Sequence, residues 1–213
     1  MRKIIMILLA LCMVVPAVNA QNDKALTKAL KKEYKTKMKE YKKEGWKLYG
    51  SSRTLEVVLL KHYDKLNQEG EEKQVITGTC IKCKSKNVGH QTCINNACNI
   101  YARQAGSKVR GRIVSDIAGN GDDTSAEFDH FVSAYETLVE KEIKGELQES
   151  YTLIRENGNG NYEMQTFFIV DESAATRARV RAMENAAKES EAAQKYAKKV
   201  SDFVREGFKP SNE

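Results

Sequence analysis

Apolar residues recur every three or four positions over residues 22–44, where Leu26, Leu30, Tyr34, Met38 and Tyr41 form one stripe among lysines. That spacing predicts an amphipathic helix. Gly45 supplies a left-handed stop, with Trp46 placed to pack back on the last turn. Tyr49-Gly50-Ser51-Ser52 reads as a turn leading into an N-cap. A second helix then runs to about Leu66, with Leu55, Val58, Leu59, His62 and Leu66 on one side. His62 on that stripe reads as a packed histidine. Residues 67–73 are polar and charged, hence a loop.

The period changes at Val75. Val75, Ile76, Thr77, Thr79 and Ile81 are β-branched, so Val75 to Lys82 is expected to be a strand. A loop containing Asn87 and Gly89 follows. Helical spacing returns from Gln91 to about Ile117 through Ile94, Cys98, Tyr101, Ala105, Val109 and Ile113. Gly106 and Gly111 either weaken that helix or permit close packing. Gly119 to Asp123 is a break, and Thr124 with Glu127 fits a capping box. The helix it starts carries Phe128, Phe131, Val132, Tyr135, Leu138 and Ile143 and ends near Gly145. Residues 148–156 and 161–170 read as two strands joined by Asn157-Gly158-Asn159-Gly160-Asn161, a sequence suited to the positive φ values of a hairpin loop.

Residues 172–206 contain neither glycine nor proline. Ala175, Val180, Met183, Ala186, Ala193, Ala197, Val200 and Val204 make a narrow small-residue stripe, predicting one helix of roughly 50 Å. Such a stripe permits close approach of another helix, either the amino-terminal one or a second subunit's. Glu206-Gly207-Phe208-Lys209 repeats Glu44-Gly45-Trp46-Lys47 as the same helix-stop chemistry. Strands and helices do not alternate regularly, so an α+β fold is expected. It would have a small antiparallel sheet of about three strands backed by helices, with long amino- and carboxy-terminal helices.

Residues 1–20 read separately. Arg2 and Lys3 precede an apolar run from Ile4 to Val15, Pro16 breaks it, and Val18-Asn19-Ala20 offers small cleavage-site residues. This is a secretory signal pattern, with cleavage expected after Ala20. The run is too short to span a bilayer. Cys12 follows Leu11 rather than a small residue, which argues against lipidation there. The expected layout is a signal peptide over 1–20, a helical region over 21–74, an α+β core over 75–171, and a long helix and tail over 172–213. Removing Arg2 and Lys3 takes the net charge from +6 to +4, a weak argument for nucleic acid that export weakens further. With 41% hydrophobic and 30% charged residues, long disorder and collagen-like repeats are excluded.

Four cysteines remain in the mature chain: Cys80, Cys83, Cys93 and Cys98. Three readings compete. Two disulfides suit an exported protein, with Cys93 and Cys98 each bridging back to Cys80 or Cys83. A zinc site would use Cys80, Cys83, His90 and Cys93, although Cys-x6-His-x2-Cys is not a common finger spacing. A redox pair would use Cys80 and Cys83, but such pairs usually sit at a helix amino terminus. Residues 116–127 overlap a calcium loop, yet Ala118 stands where an oxygen ligand is required. No serine-hydrolase elbow, zinc-protease, P-loop or dinucleotide motif occurs. Tyr151 and Tyr162, near the hairpin, are candidates for stacking on sugars or for cross-strand packing.

Several segments together resemble a group of secreted proteins from anaerobic Gram-negative gut bacteria. They are Lys43-Glu44-Gly45-Trp46-Lys47, Gly50-Ser51-Ser52-Arg53-Thr54-Leu55-Glu56, Ala102-Arg103-Gln104-Ala105-Gly106-Ser107, Val109-Arg110-Gly111-Arg112, Lys141-Glu142-Ile143-Lys144-Gly145-Glu146-Leu147 and Arg179-Val180-Arg181-Ala182-Met183-Glu184. The centre, from Val75 to Val170, is similar to the twenty-kilodalton envelope lipoprotein family and to the amino-terminal domain of a flagellar assembly protein. The resemblance implies a small sheet backed by helices, an envelope location and no known catalysis. It carries over no catalytic or ligand residues. The expectation is therefore a non-enzymatic, cofactor-free envelope protein, periplasmic, at the outer-membrane periphery or extracellular. It would scaffold envelope partners or self-associate through its long helices. Binding of glycan or peptidoglycan fragments is the first alternative, and thiol redox chemistry at Cys80/Cys83 the second.

Overall fold

The computed structural model describes residues 15–68, 70, 72–120 and 126–208. Residues 1–14, Thr124 of the expected capping box and Pro210 lie outside these. The elements in chain order are α1 (Val15–Lys43), β1 (Lys47–Tyr49), α2 (Leu55–Leu66), β2 (Lys73–Cys83), α3 (Lys86–Asn120), α4 (Ala126–Ile143), β3 (Gln148–Glu156), β4 (Tyr162–Asp171), α5 (Glu172–Ala186) and α6 (Glu191–Arg205).

The fold is α+β. Its sheet is antiparallel with strand order β1-β3-β4-β2. The fourth strand is β1, which the helix-stop reading of Gly45 and Trp46 had left unassigned. Only three residues long, it carries too little alternation to be read from sequence. The β3–β4 hairpin forms as expected, with Gly158, Asn159 and Gly160 all at positive φ.

Period-2 alternation gives the sheet two dissimilar faces. Ile76, Phe168 and Val170 join the larger core, built with α3, α4, α5 and α6 around Phe131, Tyr135, Val139 and Ile143. Tyr151 and Leu153, with Phe167 beside them, join a second, smaller core made with Met38 and Tyr41 of α1, Trp46, and Val58 and Leu59 of α2. The sheet is thus a middle layer between two helical layers.

Glycine sets the distance between β2 and α3. A Cβ on Gly78 would lie 1.8 Å from the Cys93 carbonyl oxygen, so helix backbone rests directly on strand backbone. Helix α3 starts at Lys86, not Gln91, and absorbs the expected Asn87–Gly89 loop. Gly89 is there for contact: a Cβ on it would sit 2.7 Å from Met164 Sδ and 2.8 Å from Cys83 Sγ.

The expected single helix over 172–206 is two helices. The backbone bonds Lys188 N to Asn185 O and Glu189 N to Ala186 O close a turn after α5. Ser190 then caps α6, its hydroxyl accepting from Ala193 N at 3.0 Å. A continuous stripe of that length would outrun the core. The turn instead lets Ala178, Ala182 and Ala186 of α5 and Ala193, Ala197 and Val200 of α6 bury in the same cluster. Buried Arg179 of α5 pins this layer, donating to the Tyr101 hydroxyl of α3, to Glu172 Oε1 and to Thr176 Oγ1, with the Phe208 ring 4.3 Å from its guanidinium carbon.

The two helix stops match in detail. Gly45 and Gly207 have φ +76° and +78°. Trp46 N donates to Tyr41 O, and Phe208 N to Phe203 O, each at 2.9 Å. Both are the six-to-one closure of a Schellman end.

Candidate functional site

The corner where β1 leaves the sheet concentrates polar and aromatic groups. Tyr49 pairs with Thr152, and Gly50 at φ +69° turns the chain toward α2. Ser51 Oγ accepts from Arg53 N at 3.2 Å, and Thr54 caps α2 by accepting from Val57 N. Helix α2 crosses β3, placing Lys61 and Lys65 one turn apart along the rim and turning His62 inward. His62 is buried, with Nδ1 2.8 Å from Ser150 Oγ and its ring edge-on to Tyr151 at 5.1 Å. Burial lowers its pKa from the usual 6.5, against a smaller opposing pull from Glu33.

Tyr49 donates its hydroxyl hydrogen to Asn87 Oδ1 at 2.8 Å and rests its ring 5.8 Å from His90. His90 Nε2 meets Glu149 Oε2 at 2.9 Å, and Thr152 donates to Glu149 Oε1 at 2.6 Å. Between these groups lies a groove of about 480 Å³, lined among others by Tyr49, Ser51, Arg53, Lys61, Lys65 and Ser150. Lys65 donates to Gln148 Oε1. Arg53 and Lys61 have no side-chain ion pair among the described residues.

A second groove of about 420 Å³ opens at the other end of β1, along Glu44, Lys47, Lys86, Arg155 and Tyr162. Two of its charges, Arg155 and Glu44, engage each other. Arg155 pairs with Glu163 at 2.7 Å and Glu44 at 3.4 Å, and sits 4.4 Å over the Trp46 ring.

The structure separates the two sequence-nominated tyrosines. Tyr151 is 6% exposed and stacked on Phe167 at 4.4 Å, so its face is already taken. Tyr162 borders the second groove with the Lys86 ammonium 5.0 Å over its ring. The candidates thus form no shared stacking surface.

The cysteines also divide. Cys80 is bridged to Cys83, and Cys93 and Cys98 are free and buried, which corrects the expectation that each of the latter reaches back to one of the former. A register shift in the β2–β4 ladder falls between Cys80 and Cys83, and their Cα atoms lie 6.3 Å apart. Meanwhile α3, starting early, aims Cys93 at the Met164 carbonyl at 3.5 Å and sinks Cys98 into the larger core. Burial pushes both thiols above their usual pKa. Of the zinc candidates, Cys80 and Cys83 are consumed by the bridge and His90 faces Glu149. Among the described residues no group of three His, Cys, Asp or Glu side chains is arranged to hold a metal ion. Asp116, the first position of the calcium-loop reading, lies inside α3, and residues 121–125 lie outside the description.

Periodicity missed the first groove because its walls come from a turn, a helix and a strand far apart in the chain. The i, i+4 pair Lys61 and Lys65, flanking the apolar stripe of α2, was the available signal. No family model matches the chain, and no curated protein or solved structure matches it significantly.

Proposed function

We propose that this chain is an exported, non-enzymatic cell-envelope protein that binds other envelope components. The observation behind it is the seating of α1. Of its side chains described from residue 28 onward, Met38 and Tyr41 are buried, both in the last two turns. Lys28, Lys31, Lys32 and Lys35 are exposed, while Tyr34, Met38 and Tyr41 pack on the smaller core, so from residue 28 onward α1 presents a basic face that the core does not cover. The carboxy-terminal helices belong to the core, so the partner surface narrows from two long helices to α1. The secretory pattern over 1–20 and the resemblance to envelope proteins support the location. Among the described residues no helix is long and apolar enough to cross a membrane.

The test is photo-crosslinking in cells from residues 31 and 35, with residue 198 on α6 as control, and light scattering on the purified protein. Partner or self-crosslinks restricted to α1 support the reading. A strict monomer with no α1-dependent crosslink overturns it.

The Cys80–Cys83 pairing favours thiol redox function as a second reading. Two electrons and two protons from a donor dithiol would open the bridge to two thiols. Quantitative thiol labelling of the native protein in a mild dithiol buffer decides it: two reactive cysteines support exchange, and none before unfolding excludes it.

A further inference from the structure

We infer that the groove between β1, α2 and β3 is a binding site for a small anionic saccharide, meaning a sugar ring carrying a carboxylate or a phosphate. Three observations converge there.

The first is charge. Arg53, Lys61 and Lys65 line a groove whose lining holds a single carboxylate among the described residues, Glu149. That carboxylate is held by His90 and Thr152, which leaves it a poor internal counter-ion for Arg53 or Lys61. Arginine and lysine with no protein carboxylate beside them suit an oxyanion brought by a ligand.

The second is hydrogen-bonding capacity. Ser51 and Ser150 present hydroxyls to the groove. Hydroxyls donate and accept equally well, which matches the hydroxyls of a sugar and exceeds what a bare anion needs. The hydroxyl of Ser150 is fixed by His62 at 2.8 Å, and that of Ser51 by the Arg53 backbone at 3.2 Å, so both are positioned in advance.

The third is the aromatic wall. Tyr49 is half-buried in the groove and held at both ends, its hydroxyl on Asn87 and its ring against His90. A ring fixed in this way offers a face at little entropic cost on binding. This moves the sugar-stacking role from Tyr151 and Tyr162, where the sequence alone put it, to Tyr49. The volume, about 480 Å³, accommodates a mono- or disaccharide and falls in the usual range for ligand clefts.

Isothermal titration calorimetry on the purified protein, at low and moderate salt, tests this with four probes: glucuronate, glucose 6-phosphate, glucose and inorganic phosphate. Saturable binding of a charged sugar is expected, at least about tenfold tighter than glucose and than inorganic phosphate. The double variant Arg53→Ala/Lys61→Ala changes two exposed side chains, so folding is retained, and should weaken the charged sugar at least about tenfold. Tyr49→Ala should weaken the sugars but leave inorganic phosphate unchanged, with circular dichroism confirming the fold. Three results overturn the proposal. They are no saturation by either charged sugar up to about 10 mM, binding unaffected by the double variant, or inorganic phosphate bound as tightly as glucose 6-phosphate and equally in Tyr49→Ala.

Discussion

His62 shows how much one side chain's surroundings decide. The sequence placed it on an apolar stripe and read it as packed, and the structure buries it against Tyr151 with a bond to Ser150. Its pKa is lowered in the folded chain, chiefly by burial. The unfolded chain therefore holds more protons wherever pH lies between the lowered value and the ordinary 6.5. Stability must then fall as pH drops below about 6.5 and level off once both states are protonated. Urea midpoints measured across this range should show that decline, and His62→Phe should remove most of it. An unchanged slope in the variant would assign the effect elsewhere. Other residues were illegible for a physical reason. Arg179 sits within the alanine stripe of α5, and only the arrival of Tyr101 from α3 and Phe208 from beyond α6, beside Glu172 at the start of its own helix, makes a buried guanidinium tenable there. The cysteine partners depended on where α3 begins, a boundary that spacing alone sets to within a few residues.

At the scale of elements, local chemistry was read well where it was self-contained. The hairpin loop, the strand at Val75 and both glycine helix stops needed only their own residues. The division of the last helix did not. Periodicity runs smoothly through Ala186, Ala193 and Ala197 because both halves face one core, and a turn that preserves the face leaves no mark in the pattern. Ser190 is the visible trace, since serine is a strong N-cap. Ser190→Ala should cost about 1 kcal/mol of stability, read by chemical denaturation. Ser190→Asp should retain most of it. The contact between β2 and α3 makes a sharper case. Gly78→Ala places a methyl against a backbone oxygen that cannot rotate away, so a loss of about 1–3 kcal/mol or more is expected in the same assay. By contrast Gly111→Ala meets open space in a helix and should stabilise by about 1 kcal/mol.

For the molecule as a whole, the α+β class and the presence of a central antiparallel sheet were legible, and the sandwiching of that sheet between two unequal cores was not. Sandwiching depends on β1, which joins the first forty-odd residues to β3 rather than to their neighbours in sequence. The candidate groove is a product of the same long-range pairing, which is why its residues could not be grouped beforehand. The two cores differ in size, so they should differ in resistance to opening. Native-state hydrogen exchange should find the amides of α2 exchanging through a smaller opening than those of α4. Leu59→Ala should speed exchange in α2 and leave α4 nearly unchanged. Equal acceleration of both would show a single cooperative unit.

Pairing β1 with β3 also sets a schedule. Tyr41 and Tyr151, whose hydroxyls meet in the smaller core, are 110 residues apart. At about 5–20 residues per second, a ribosome delivers β3 about 5–20 s after α1. Throughout that interval α1 and α2 have no sheet to cover, and Tyr41, Trp46 and Leu59 remain open to water or to a chaperone. A chain arrested before residue 148 should therefore carry these two helices undocked and sensitive to protease, whatever its other segments have achieved.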